Sequence, residues 1–260
     1  MPILKKYQNS KVYQVKYFID EIIEKFDLSK VEKVEKISSK NIADIKQEKP
    51  TKNLKKEFET PLGTVACGLN ANNFGSFVDK KQYANGIGEI FSFPAHTVEM
   101  ITFRLKLPLY NGEMLEDSCG WIFRIEKIVE IQENLDIYCL LDKIDKKVEL
   151  GPNTGEHLDA IIVENEEWVL HIGTEDGDML GYRAEDDDWF PKRLTEWLDI
   201  YNSITKIEEN GFVTKIPHLQ KGEKIHLHYL VALEQRKEES ISTWLAIDQS
   251  KKNLEAWIGL

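Results

Sequence analysis

The chain predicts an α+β fold, a mostly antiparallel mixed sheet with N-terminal, central and C-terminal helices. Three observations predict it. Apolar residues recur at helical spacing over 11–37, at period two from Thr60 into the 170s, and at helical spacing again over 194–204 and 242–258. Gly, Asn, Asp and Pro clusters such as NANNFG, PLYNGE and GPNTG punctuate the middle stretch, as turns between antiparallel strands do. With 260 residues, 42% of them hydrophobic, the chain can bury a substantial core.

Ser10 is placed to cap a helix over Lys11–Phe26, in which Val12, Val15, Ile19, Ile22, Ile23 and Phe26 share one face. Val31, Val34 and Ile37 continue as a second, shorter helical piece. Ser38–Lys56 is Lys-rich and carries Pro50, so it reads as a linker whose lysines are solvated rather than bound to nucleic acid. Strands are expected over 64–69, 87–93, 98–107, 120–131, 135–141, 160–163, 168–172 and 179–182. Thr174–Asp178 is short of the six to eight oxygens a calcium site takes, and Asp176-Gly177 suits a tight hairpin turn. Pro191 opens an amphipathic helix bearing Leu194, Trp197, Leu198, Tyr201 and Ile204, with acids before it complementing the helix dipole. Beyond Asn210-Gly211 come strands over 212–216 and 224–233, then a closing helix over 242–258. The expected organisation is a basic helical segment with linker (1–58), an acidic α+β domain (59–209), and a strand–strand–helix extension (210–260) packed on that domain.

Charge is distributed unevenly. Residues 1–58 hold fourteen lysines and nine acids, a balance of +5, which leaves −16 of the formal −11 to the remainder. Between Glu149 and Asp188 thirteen carboxylates face one base, Arg183, a local balance of −12. Such a surface speeds encounter with basic partners and repels nucleic acid. The expected partner-binding face comprises Glu164, Glu166, Glu167, Glu175, Asp176, Asp178, Glu185, Asp186, Asp187 and Asp188. Trp168, Tyr182, Trp189 and Phe190 would supply exposed aromatic contact area beside those acids. No run of eighteen apolar residues predicts a membrane span, the N-terminus lacks the apolar stretch of a signal peptide, and three cysteines without paired spacing read as reduced thiols. A cytoplasmic location is expected.

Chemistry-bearing patterns are sparse. His226 and His228, two apart on one strand, point to the same face and could share a metal, with His218 the nearest further imidazole. No carboxylate stands at a completing spacing, so a solvent-facing strand edge is expected and no metal. Cys119 could act as a nucleophile with His157 or His171 as base, yet Glu116 and Asp117 beside it raise a thiol pKa. Cys67 and Cys139 read as small core residues. Gly86-Ile-Gly88 lacks the third glycine of a dinucleotide loop. No catalytic residue and no cofactor are expected.

The passage WVLHIGTEDGDMLGYRAEDDDWFPKRLTEWL, residues 168–198, resembles the SUKH superfamily, whose bacterial members are largely immunity proteins that neutralise toxins. The resemblance implies a strand, an acidic or glycine-bearing turn, a second strand and a helix. It also implies a binding function, without assigning a role to any one residue. Together with the charge, it makes a cytosolic immunity or antitoxin-like protein the functional expectation, with a basic protein partner and no nucleic acid or membrane. A scaffold protein and a metal-dependent hydrolase on His226 and His228 are the alternatives.

Overall fold

The computed structural model describes residues 51–260 apart from 106–114, 145–146, 156, 187–188, 197, 200–201 and 238–240. The helices expected over 11–26 and 29–37, with the Ser10 cap, lie outside the described residues.

The first strands are β1 (Thr51–Thr60), β2 (Gly63–Tyr83), β3 (Gly86–Ser92), β4 (His96–Phe103), β5 (Asp117–Lys127) and β6 (Leu135–Asp142). They are followed by β7 (Glu149–Pro152), β8 (Leu158–Glu164), β9 (Trp168–Glu175), β10 (Thr205–Glu208), β11 (Gly211–Lys215) and β12 (Lys224–Gln235). Every pairing is antiparallel, in the order β10-β11-β6-β2-β3-β4-β5-β12-β9-β8-β7 with β1 on β2, and the sheet wraps into a nearly closed barrel. Among the described residues the helices are three short ones: α1 (Gly177–Asp186), α2 (Ser242–Ile247) and α3 (Lys251–Ile258). The expected α+β class is thereby overturned. The molecule is an antiparallel β barrel to which helices are accessories.

Particular elements explain the difference. Among the described residues between Pro191 and β10 the only helical turn is a 3-10 one, Lys192–Leu194. Leu194 and Ile204, read as one helical face, each bury against the barrel core, Leu194 from the 3-10 turn and Ile204 from irregular chain. Where a hairpin and a strand over 179–182 were expected, α1 forms instead. Asp176 Oδ1 accepts from the Met179 amide at 2.7 Å, an N-cap geometry, so the acidic turn starts a helix. The closing helix is broken at Asp248–Ser250, and Ser250 restarts it by accepting from the Asn253 amide. β1 begins inside the stretch read as linker and buries Leu54 and Phe58. β2 runs straight through NANNFG, read as a turn. Its first half pairs with β6, its second with β3, and a register shift between Phe77 and Asp79 marks the irregularity that long strands use to bend.

The core has two layers. Inside the barrel, Trp121, Phe123, Phe212, Tyr229 and Leu69 pack together, with the buried Tyr229 hydroxyl hydrogen-bonded to Thr214. Outside it, Ile101, Ile122, Leu230, Leu254 and Ile258 fill the space beneath α2 and α3. β12 serves both layers. Its Ile225, Leu227, Tyr229, Val231 and Leu233 point inward, while His226, His228, Leu230 and Ala232 share the outward parity that the C-terminal helices cover.

Candidate functional site: a histidine–carboxylate cleft beside an acidic helix

The predicted acidic face is divided by the fold. Glu164, Glu166, Glu167 and Trp168 stand at the β8–β9 turn, whereas Glu175, Asp176, Asp178, Tyr182, Glu185 and Asp186 lie at or beyond the far end of β9. Seven residue steps of extended strand separate the two groups by roughly 23 Å. Glu164 pairs with Arg236 at 3.4 Å, and Trp168 is half-buried against the core. Glu175 and Asp176 are buried, so neither contributes to a surface patch. Trp189 is half-buried beneath the Arg124 guanidinium, 4.0 Å above its ring centre, with the Lys224 ammonium at 5.3 Å. Phe190, expected to be exposed, is a core residue. Asp187 and Asp188 lie outside the described residues.

Around α1 the remaining members stay together. Tyr182 is 61% exposed and sets its ring edge-on to His157 at 5.4 Å between centres. Glu185 is exposed one turn later, and Asp186 closes the helix. These acids sit at the C-terminal end of α1. A negative charge is disfavoured there by about 0.3–1 kcal/mol. Among the described residues only a 3-10 turn follows Pro191 before β10, so no α-helix N-terminus is seen there for the acidic run to complement.

Next to α1 lies a cleft of about 510 Å³ between the turn at Gly155–Leu158, the β9–α1 junction and the link from α2 to α3. Its walls include Met179 and Trp244, and Asp248 and Gln249 stand at its helical side. Gly155 admits the Trp244 ring, since a Cβ at that position would lie only 2.6 Å from it. His157 lines the same cleft with φ of +68°, left-handed backbone that costs a non-glycine residue about 1 kcal/mol or more.

Two buried side chains, Glu175 (5% exposed) and His228 (2%), form the polar lining at its depth. One Glu175 oxygen, Oε2, takes a close hydrogen bond from Arg183 Nη1, and Arg183 Nη2 donates to the His226 carbonyl at 2.8 Å. The other oxygen, Oε1, has no hydrogen-bond partner. His228 Nδ1 stands 3.7 Å from Glu175 Oε2, also without a partner, and the Gln249 backbone lies against the ring. Behind them His226 is wholly buried, with neither ring nitrogen bonded and Glu255 at 3.8 Å from Nδ1. Burial holds both imidazoles below their ordinary pKa, and for His226 the Arg183 charge adds to it. Both rings are therefore neutral near pH 7.

This corrects the expectation of a solvent-facing strand edge. β12 is paired on both sides, by β5 and β9, and roofed by helices. Among the described residues no three His, Cys, Asp or Glu side chains converge as metal ligands. Cys119 is buried in β5, and burial pushes its thiol up to about 12, with its nearby acid Asp117 a lesser cause. His171 lies across β12 from Cys119 but on the opposite face of the sheet. It hydrogen-bonds Asn153 and Thr243, both at 2.9 Å. The sequence reading missed Glu175 and Arg183 as a buried pair, and Trp244 as a cleft wall. One signal was available: His226 and His228 share strand parity with Leu230 and Ala232, and a face half apolar must be covered.

No protein-family model, curated protein or solved structure matches the chain.

Proposed function

We propose that the chain is a binding protein of the immunity or antitoxin type, which holds a basic protein partner against the surface of α1 and the adjoining cleft mouth. The reading rests on one observation: Glu185 and Asp186 close α1 at its dipole-disfavoured end, with Tyr182 exposed one turn before them. Stability alone does not favour acids there. An exposed tyrosine among carboxylates is the combination that anchors interfaces, since it offers a large rigid contact area beside long-range attraction. The resemblance of residues 168–198 to the SUKH superfamily and the −16 balance beyond residue 58 support the same reading. A cytoplasmic location is part of it. The acids at the β8–β9 turn belong to a different part of the surface and are left out of the face.

The test is titration of the chain with the product of a neighbouring reading frame that encodes a basic protein, by calorimetry across ionic strengths. Tyr182→Ala is expected to weaken binding at least tenfold at all salt concentrations. The double change Glu185→Lys with Asp186→Lys should weaken it most at low salt and flatten its salt dependence. Unchanged affinity in both folded variants would defeat the proposal.

A further inference from the structure

The α1 face explains attraction to a basic partner but leaves the depth of the cleft unexplained. There, Glu175 Oε1 and His228 Nδ1 are both buried and both lack a hydrogen-bond partner. A carboxylate oxygen is only an acceptor. An imidazole whose other nitrogen is engaged by a backbone carbonyl presents a lone pair at Nδ1, another acceptor. Of the two ring nitrogens of His228, Nδ1 is the one buried without a partner, and the Gln249 backbone beside the ring favours its protonated form, as an accepting carbonyl does. The Glu175 oxygen that Arg183 holds, Oε2, stands 3.7 Å from His228 Nδ1, so the same carboxylate brings its unpartnered Oε1 and the unpartnered Nδ1 to one place in the cleft. A buried acceptor left unmatched costs about 1–3 kcal/mol. The arrangement is matched by a group bearing several donors and a positive charge.

We infer that the cleft receives a primary ammonium, carried by a lysine side chain of the basic partner, and holds it between Glu175 Oε1 and His228 Nδ1. The inference rests on the partner-binding reading above. An ammonium is compact and has three donors, so one group can satisfy both acceptors. Met179 and Trp244 wall the approach with apolar surface, which suits the methylene stem of lysine. Asp248 in the cleft wall, with Asp176 and Asp178 next along the chain from Glu175, keeps the surroundings acidic. Arg183 fixes Glu175 through its other oxygen and leaves Oε1 available. Tyr182, packed against His157 at the cleft, joins this pocket to the α1 face.

The experiment uses the full chain without any partner and a small probe, Nα-acetyl-lysine methylamide, followed by saturation-transfer NMR and calorimetry. Saturable binding in the millimolar range is expected, at least tenfold weaker for the norleucine and Nε-acetyl-lysine counterparts, which lack the charge. The arginine counterpart, with its broader planar head, is expected to bind more weakly than the lysine probe. Met179→Trp, which fills the cleft from α1 and leaves the buried pair in place, should abolish binding in a protein whose circular dichroism and melting are unchanged. Glu175→Gln should weaken it at least tenfold. Equal binding of the norleucine probe, no saturable binding of the lysine probe, or undiminished binding in folded Met179→Trp would each overturn the inference. Because no partner is present, failure here leaves the α1 face standing. Conversely, lysine-probe binding that survives beside an unaffected Tyr182→Ala partner titration would remove the face and keep the pocket.

Discussion

Individual buried ionisable groups set the clearest expectations at the residue scale. Asp159 on β8 is pushed up to about 6, first by burial and then by the neighbouring charge of Asp176. An acid held above its ordinary value binds its proton more tightly when folded. It therefore contributes stability below about pH 4, and that contribution is lost as pH rises through 6. Asp159→Asn should raise stability at pH 7 by on the order of 2 kcal/mol, discounted for partial exposure, and flatten the dependence between pH 4 and 6. Urea melts at four pH values would show it, and an unaltered profile would place the Asp159 carboxyl in water. His226 runs the other way. Burial keeps its pKa low, so the unfolded chain takes up the proton first and stability falls as pH drops below about 6.5. Both of its ring nitrogens are buried without partners, the circumstance in which an apolar side chain of similar volume is neutral or stabilising. His226→Leu is expected to keep or raise stability at pH 7 by up to about 1 kcal/mol and to lower the pH of acid unfolding. A loss of several kcal/mol would mean that the imidazole makes a bond the neutral ring does not show. Replacing the two histidines by glutamine, which an exposed edge would tolerate, buries two unmatched amides and should destabilise strongly.

At the scale of elements, two glycines separate close packing from open space. Gly181 lies in α1 with nothing within 4 Å of a would-be Cβ, and alanine is favoured over glycine in a helix by about 1 kcal/mol. Gly181→Ala should therefore stabilise the protein by about that amount, an outcome a strand at 179–182 would not give. Gly68 in β2 is the opposite case, because a Cβ there would meet the Leu54 carbonyl at 2.1 Å and the Tyr138 hydroxyl at 2.5 Å. The obstructing atom is backbone of the paired strand β1 and cannot rotate away. Gly68→Ala should cost more than 2 kcal/mol and expose β1 to proteolysis, whereas wild-type stability in that variant would show β1 to pair elsewhere.

For the whole molecule, the barrel presents an apolar outer wall that, among the described residues, the last two helices cover. Ile101, Ile122, Leu230 and Ala232 lie under α2 and α3, beside the two histidines. Ending the chain after Arg236 should leave the sheet able to pair but uncover this patch, giving a protein that binds hydrophobic dye and aggregates. A soluble, cooperative, dye-free truncation would mean that the helices are dispensable to the barrel.

Strands expected over 64–69, 87–93 and 135–141 were readable directly from residue order, as were those expected over 98–107 and 120–131, which the structure ends earlier, at Phe103 and Lys127; period-two alternation and the acidic charge of the second half are local properties. The helix after Pro191 was not, since Leu194 and Ile204 can reach a core from a 3-10 turn and irregular chain as well as from one helical face. Nor was the partition of the acids: a run close in sequence is pulled apart by an eight-residue strand, leaving Glu164–Glu167 at one end and Glu185–Asp186 at the other. The pairing of Glu175 with Arg183 and the neutrality of His226 and His228 needed the barrel and its helical roof in place. Local pattern states which side chains share a face. Whether that face meets water, a helix or the barrel interior is decided by partners far away in the chain, and only three-dimensional packing brings them there.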